Sequence, residues 1–258
     1  ISSDLKDKSI AYIEGFYARG DGGANLYYVT TDYNDIIGAD FYLTLDGPNR
    51  WALPIIVMHY VTPEMYGAKS DGSEDAKDAF NIAVKSGKPI ECHCNGIYMI
   101  EDGDVAVIDG TVINGNGAVL ALYSSETNSH IIKTSDVANV TIRDLIFDGS
   151  NASGSTYASA IQLANASNVI VTDCTFEHFT NNSAQFTYST NCKIKGCTMD
   201  DTGLTMAYNS DRVVFDDLKI TNCVFAYVLQ LKSCQNSFIE NCHVVMTDTN
   251  EYGIMVSY

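Results

Sequence analysis

The chain has 258 residues, with 15 Lys plus Arg against 32 Asp plus Glu, and a formal net charge of −17. With 18 % charged and 46 % hydrophobic residues, it is not a disordered tail, and it can bury the core of one large domain or of one domain with a small appendage. So acidic a chain cannot grip nucleic acid electrostatically, and no apolar run approaches the roughly 18–20 residues of a membrane helix.

Residues 1–60 read as a small N-terminal domain and 61–258 as a second, larger one. Asp75 precedes an amphipathic run at 76–86, whose Ala79, Phe80, Ala83 and Val84 share one helical face before Gly87 stops it. Residues 89–120 read as strands, with turns expected at Asn95-Gly96 and Asn114-Gly115. Cys92 and Cys94 fall in a stretch read as strand, which would point them the same way. Without a second pair at metal spacing, neither a metal site nor a cofactor is expected.

From residue 139 a nine-residue pattern recurs as NVTIRDLIF, NVIVTDCTF, NCKIKGCTM, RVVFDDLKI and NSFIENCHV, beginning at Asn139, Asn168, Asn191, Arg212 and Asn236. Apolar residues alternate at positions two and four and again at seven and nine, so two short strands flank a bend. A further strand recurs as AIQL, AQF, LTM, LQL and IMV at 160–163, 184–186, 204–206, 229–231 and 254–256. In that strand Gln162, Gln185, Thr205, Gln230 and Met255 are expected to point outward. Rungs of 21–29 residues without long helices predict an all-β fold, a parallel β-helix, with the 76–86 helix capping its first turn. The chain stops inside a rung at Tyr258, so more chain or another protein is expected to cover that end. The repeat cysteines fall mostly at interior positions, where a thiol acts as a small hydrophobe.

Residues 61–100, with Gly67, Ala68, Asp71 and Gly72 leading into the helix and then Gly96 and Tyr98, resemble the opening of the pectate-lyase-like right-handed single-stranded β-helix superfamily. The GDGGANLYYV segment at 20–29 and the turn from Gly47 to Trp51 resemble the short domain before the β-helix in bacteriophage tailspikes and tail fibres. The pectate lyase and polygalacturonase residue sets are absent. The resemblance implies a virion tail protein, folded in the bacterial cytoplasm and acting outside the cell as a homotrimer. Its implied partners are bacterial surface polysaccharide and other tail proteins. It would bind the polysaccharide and depolymerise it by hydrolysis or β-elimination; the alternative is a non-catalytic structural spike or adhesin.

Projecting the rungs stacks Asp148, Glu177 and Asp200 in one outward column, either candidate catalytic carboxylates or simply a solvated face of an acidic chain. Adjacent members would lie about 5 Å apart and alternate ones about 10 Å apart, near the separations used in retaining and inverting glycoside hydrolysis. A second column, Asp216 and Glu240 with Lys195 one rung below, reads as a surface salt-bridge ladder. Tyr188, Tyr208 and Tyr258 are expected to share a position, as a sugar platform or as a subunit contact in a trimer, and Gln162, Gln185 and Gln230 either to bind sugar hydroxyls or to form an ordinary side-chain ladder.

Overall fold

Two positions of the nine-residue pattern carry the bends that make a coil of it. In the computed structural model the first position adopts left-handed backbone at Asn139, Asn168, Asn191, Arg212 and Asn236, with φ between 48° and 60°. The sixth position does the same at Asp144, Asp173, Gly196, Asp217 and Asn241. Asn, Asp and Gly tolerate this region at least cost, which explains their recurrence there. The structure describes residues 6–36, 39, 42–45, 49–55, 59–152, 157–200, 204–223, 229–246 and 253–257. Tyr258, Gly47 and Pro48 lie outside them.

Between these bends the strands pair in parallel from rung to rung. One 13-stranded sheet collects the strands of the nine-residue pattern, and a six-stranded sheet collects those of the second pattern. Register pairs Ile142 with Val171, Val171 with Ile194, Ile194 with Phe215 and Phe215 with Ile239, giving one interior column. Phe147, Phe176, Met199, Ile220 and Val244 form another. Leu145, Cys174, Cys197 and Leu218 are buried beside them. Cys92, Cys94, Cys174, Cys192, Cys197, Cys234 and Cys242 are free thiols. The fold is the expected parallel β-solenoid.

Asn191 donates its side-chain amide to Asn168 at 2.7 Å, and Asn168 donates to Asn139 at 3.1 Å, so the first-position turns are laced together. Arg212 interrupts this ladder in a conformation that disfavours its long side chain. Arg212→Asn should relieve that strain and extend the ladder, stabilising the protein by about 0.5–1 kcal/mol. Its ion pair with Asp211 is exposed and worth little. A urea midpoint that rises with an unchanged slope would show this; a lower midpoint would refute it.

The helix Lys77–Lys85 covers the first rung with Ala79, Phe80, Ala83 and Val84, and Phe80 meets Tyr98 edge-on at 5.2 Å. Asp75, before the first turn, accepts the Lys77 N–H at 3.0 Å, and Gly87 follows the last turn with φ +66°, so the helix is bounded at the expected residues. A four-stranded antiparallel sheet, Ile10–Ile13, Asn25–Thr30, Trp51–Ile55 and Leu43–Thr44, has its own cluster of Ala11, Tyr27, Val29, Leu45 and Ala52. It meets the first rung through Tyr17 Oη to the Gly67 carbonyl at 2.9 Å and Thr62 Oγ1 to the Gly22 carbonyl at 2.9 Å.

Three local readings are corrected. Asn114-Gly115 is not a terminal turn but part of a bend inside the strand Val112–Tyr123, where Asn116 and Gly117 carry the positive φ. The strand Ile90–Glu91 ends before Cys92, so Cys92 is buried while Cys94, already in the turn, is exposed. In the second pattern Ser183 is an extra residue that shifts the register, pairing Gln185 with Met206. Met206 therefore takes the outward place, and Thr205 is fully buried, its hydroxyl meeting Met199 sulfur at 3.1 Å. No helix among the described residues is long and apolar enough to cross a membrane.

Candidate functional site

The carboxylate column stands where the repeat register places it. Asp148 pairs with Glu177 and Glu177 with Asp200, each following a buried residue of the Phe147–Phe176–Met199 column; Glu177 and Asp200 end short strands, while Asp148 lies within the longer Thr141–Asn151. Strand alternation then turns all three outward, half-buried. Asp148 Oδ1 accepts from the Ser150 N–H at 2.9 Å and from His178 Nδ1 at 3.0 Å, while Oδ2 accepts from the Ser150 hydroxyl at 2.8 Å. Partial burial works against ionisation, but these hydrogen bonds outweigh it and hold the Asp148 carboxyl below the usual aspartate range. Asp200 accepts from the Thr221 hydroxyl at 2.8 Å. The three carboxylates therefore sit in different settings, the condition under which one can stay ionised while a neighbour carries a proton.

On the six-stranded sheet, Lys133, Gln162 and Gln185 stack in register along a groove of about 620 Å³. Gln162 donates to Gln185 at 3.3 Å, and Gln185 also accepts from Asn182 at 2.8 Å. Thr134, Ser135, Thr187 and Asp104 complete a lining rich in hydrogen-bonding groups. Asp104 is tied to buried His130 at 3.3 Å. Gln230 does not line this groove: Met206 separates it from Gln185, and its amide meets Met255.

Tyr188 and Tyr208 do not share a register position, because the Ser183 bulge moves Tyr208 opposite Thr187. Their rings still meet edge-on, 6.1 Å apart, and Lys232 lies 5.5 Å over the Tyr208 ring. Tyr188 takes φ +51°, like Asp136, Asn165, Asn209 and Ser233 at the matching turns, yet only there is the side chain large and aromatic, and it is 58 % exposed. The second acidic column is a salt-bridge ladder: Asp216 lies 3.0 Å from Lys193 and 3.6 Å from Lys195. Among the described residues no three His, Cys, Asp or Glu side chains come together to hold a metal ion.

Sequence reasoning missed His178, Ser150, Lys133 and Glu64. Lys133 was within reach, because SHIIKTS at 129–135 is one more copy of the second pattern. The His178 contact depends on a turn that no strand periodicity encodes. Glu64, in the short helix Pro63–Tyr66, is buried and accepts from the Tyr98 hydroxyl. Burial pushes its carboxyl above the usual range, against the opposing hydrogen bond from Tyr98.

Glu64 and Asp148 thus give opposite pH signatures. The contribution of Glu64 is complete below the unfolded carboxylate pKa and is lost as pH rises through its raised folded value. That of Asp148 is present above the unfolded value and lost as pH falls through its lowered one. Melting temperature against pH should therefore fall less on the alkaline side in Glu64→Gln, and less on the acid side in Asp148→Asn. Parallel curves for either variant and the parent would contradict its assignment.

Residues 83–244 match the family described as right handed beta helix region, and the chain belongs to that family. No curated protein sequence matches it. Among solved structures it is similar to a glycan biofilm modifying enzyme of Pantoea stewartii, described as having a bacteriophage tailspike-like parallel β-helix fold. The two share 11 % identity with a TM-score of 0.59, over 96 % of this chain and 47 % of that one. It is similar to a Parabacteroides merdae protein assigned provisionally to the glycosyl hydrolases, at 14 % identity and TM-score 0.57, over 71 % of this chain and 94 % of that one. ORF18 of Geobacillus virus E2 matches at 14 % identity and TM-score 0.53, over 87 % of this chain and 55 % of that one. The chain thus spans about half the length of the first and third of these. The fold is that of the tailspike-like parallel β-helices.

Proposed function

We propose that this chain is part of a phage tail spike or fibre that binds a bacterial surface polysaccharide along the flank of its β-helix and cleaves it. The observation that carries the binding reading is Tyr188. An exposed aromatic side chain held in left-handed backbone costs about 1–3 kcal/mol, and such strain concentrates where ligands are held. Aromatic rings beside ladders of amides and hydroxyls are suited to pyranose faces and their hydroxyl rims. Tyr188, Tyr208, Gln162 and Gln185 would make these contacts; Gln230, cut off by Met206, would not.

Cleavage is assigned to the Asp148–Glu177–Asp200 column. For hydrolysis, one protonated carboxyl gives its proton to the glycosidic oxygen as the C–O bond breaks. A second, ionised carboxylate either attacks the anomeric carbon or takes a proton from the water that does. Asp148, held ionised, suits the second role. His178, oriented by Asp148, is placed to assist proton transfer. For β-elimination one carboxylate would take the proton alpha to a uronate carboxyl, the C4–O4 bond would break as the C4=C5 double bond forms, and a protonated neighbour would give its proton to the departing oxygen. The provisional glycosyl hydrolase and the biofilm-modifying enzyme among the similar folds agree with this reading at the level of scaffold. A homotrimer and a virion location belong to the same proposal.

Incubation with capsule and O-antigen from candidate hosts tests it: new reducing ends mark hydrolysis, and absorbance of an unsaturated sugar marks elimination. Binding without either product would leave the adhesin reading. Tyr188→Asn separates binding from folding, because Asn suits the backbone position better. It should raise the melting temperature and weaken polysaccharide binding by about tenfold or more. Unchanged affinity would remove Tyr188 from the site.

A further inference from the structure

A cavity of about 430 Å³ where the N-terminal sheet meets the first rung lies apart from both the carboxylate column and the groove, and shares no lining residue with them. Among its lining residues is Glu64, at 1 % exposure. The Tyr98 hydroxyl accepts the His93 N–H at 2.8 Å and gives its own proton to Glu64 Oε1. Glu64 Oε2 has no hydrogen-bond partner among the described residues. Thr62 also lines the cavity, but its hydroxyl proton goes to the Gly22 carbonyl. Gly22, at φ +90°, packs against this carboxyl: a Cβ there would stand 3.5 Å from Oε2, which is itself fully buried.

A buried polar atom left unsatisfied costs about 1–3 kcal/mol, and this one belongs to a residue that lines a cavity of ligand size. The same lining holds Glu91, whose oxygens accept from Asn114 and Asn116, and the ring of Tyr60, 41 % exposed. Two carboxyl groups repel an anionic ligand, and the described side chains supply no metal-binding triad. Hydroxyls beside an aromatic face fit what remains.

We infer that this cavity is a second carbohydrate pocket, taking one neutral sugar residue with Glu64 Oε2 and Glu91 on its hydroxyls and Tyr60 against its face. The ligand class rests on the glycan reading above, whereas the pocket rests on Glu64. Burial raises the Glu64 carboxyl above the usual range, against the opposing hydrogen bond from Tyr98.

Saturation-transfer NMR with D-glucose, D-galactose, N-acetyl-D-glucosamine and L-rhamnose, each at millimolar concentration, tests it on the full chain. At least one sugar should bind the parent protein and the Tyr188→Asn variant alike. Its affinity should fall about tenfold or more in Tyr60→Ala and in Glu64→Gln. Tyr60 is exposed, so its variant carries the test should Glu64→Gln fail to fold. Silence from all four sugars, or binding that survives in Tyr60→Ala, would overturn the pocket. A signal lost only in Tyr188→Asn would overturn it while leaving the flank reading intact. A signal lost in Tyr60→Ala from a protein that neither binds nor cleaves any polysaccharide would uphold the pocket and remove the flank.

Discussion

Glu177→Gln should lower polysaccharide cleavage by about 10²–10⁴-fold while the protein melts within a few degrees of the parent. The substitution keeps shape and removes the carboxyl chemistry. Glu177 is half-buried on the outer face, so little packing goes with it. It is also the one member of the column next to both others, so it belongs to either adjacent-rung pair. Adjacent rungs place carboxyl groups at roughly 5 Å, the separation of retaining enzymes. Were the working pair instead Asp148 and Asp200, at roughly 10 Å, cleavage would be inverting. Asp148→Asn and Asp200→Asn would then be the damaging changes and Glu177→Gln the mild one. Product anomeric configuration by NMR decides between the pairs. Undiminished cleavage in all three variants would show the column to be a solvated face.

Phe176→Ala, one residue earlier, should do the reverse to stability and cost about 3–5 kcal/mol. Phe176 is fully buried and its ring stacks on Phe147, centroids 5.1 Å apart and planes 8° apart. Met199 follows it on the next rung. Truncation opens a cavity between two rungs held by strand hydrogen bonds at fixed spacing, so the walls cannot close over it. Urea unfolding gives the measurement, and a loss below about 1 kcal/mol would mean that the stack is not where the stability resides. Neighbouring substitutions at 176 and 177 would thus separate what holds the helix together from what it presents.

The solenoid was legible because its physics is repetitive. Ile142, Val171, Ile194, Phe215 and Ile239 are interior for the same reason five times over, and the Asn and Asp of the bends recur with them. The Asp148–Glu177–Asp200 register followed from the same count. What broke the count was local: the extra Ser183 turned Thr205 inward and moved Tyr208 off the Tyr188 position. One inserted residue inverts a strand's faces, and the short AQF and LTM segments held too few alternating residues to reveal it. The ties from His178 to Asp148 and from Tyr98 to Glu64 join residues 30 and 34 positions apart through turns and a short helix. No periodicity predicts such contacts.

The successive copies of the nine-residue pattern begin 29, 23, 21 and 24 residues apart, yet their strands keep one alignment. Apart from the extra Ser183, the difference in length is taken up in the connections, such as the one between the strands Thr141–Asn151 and Tyr157–Ala164. A lineage can therefore lengthen, shorten or exchange what crosses from one sheet to the next without disturbing a single interior neighbour. Within a strand an added residue must be absorbed as a bulge, as Ser183 is, with Ala184 and Phe186 still buried beyond it. Under the proposed function, binding specificity could be changed by grafting at the crossings while the stacked strands stay as they are.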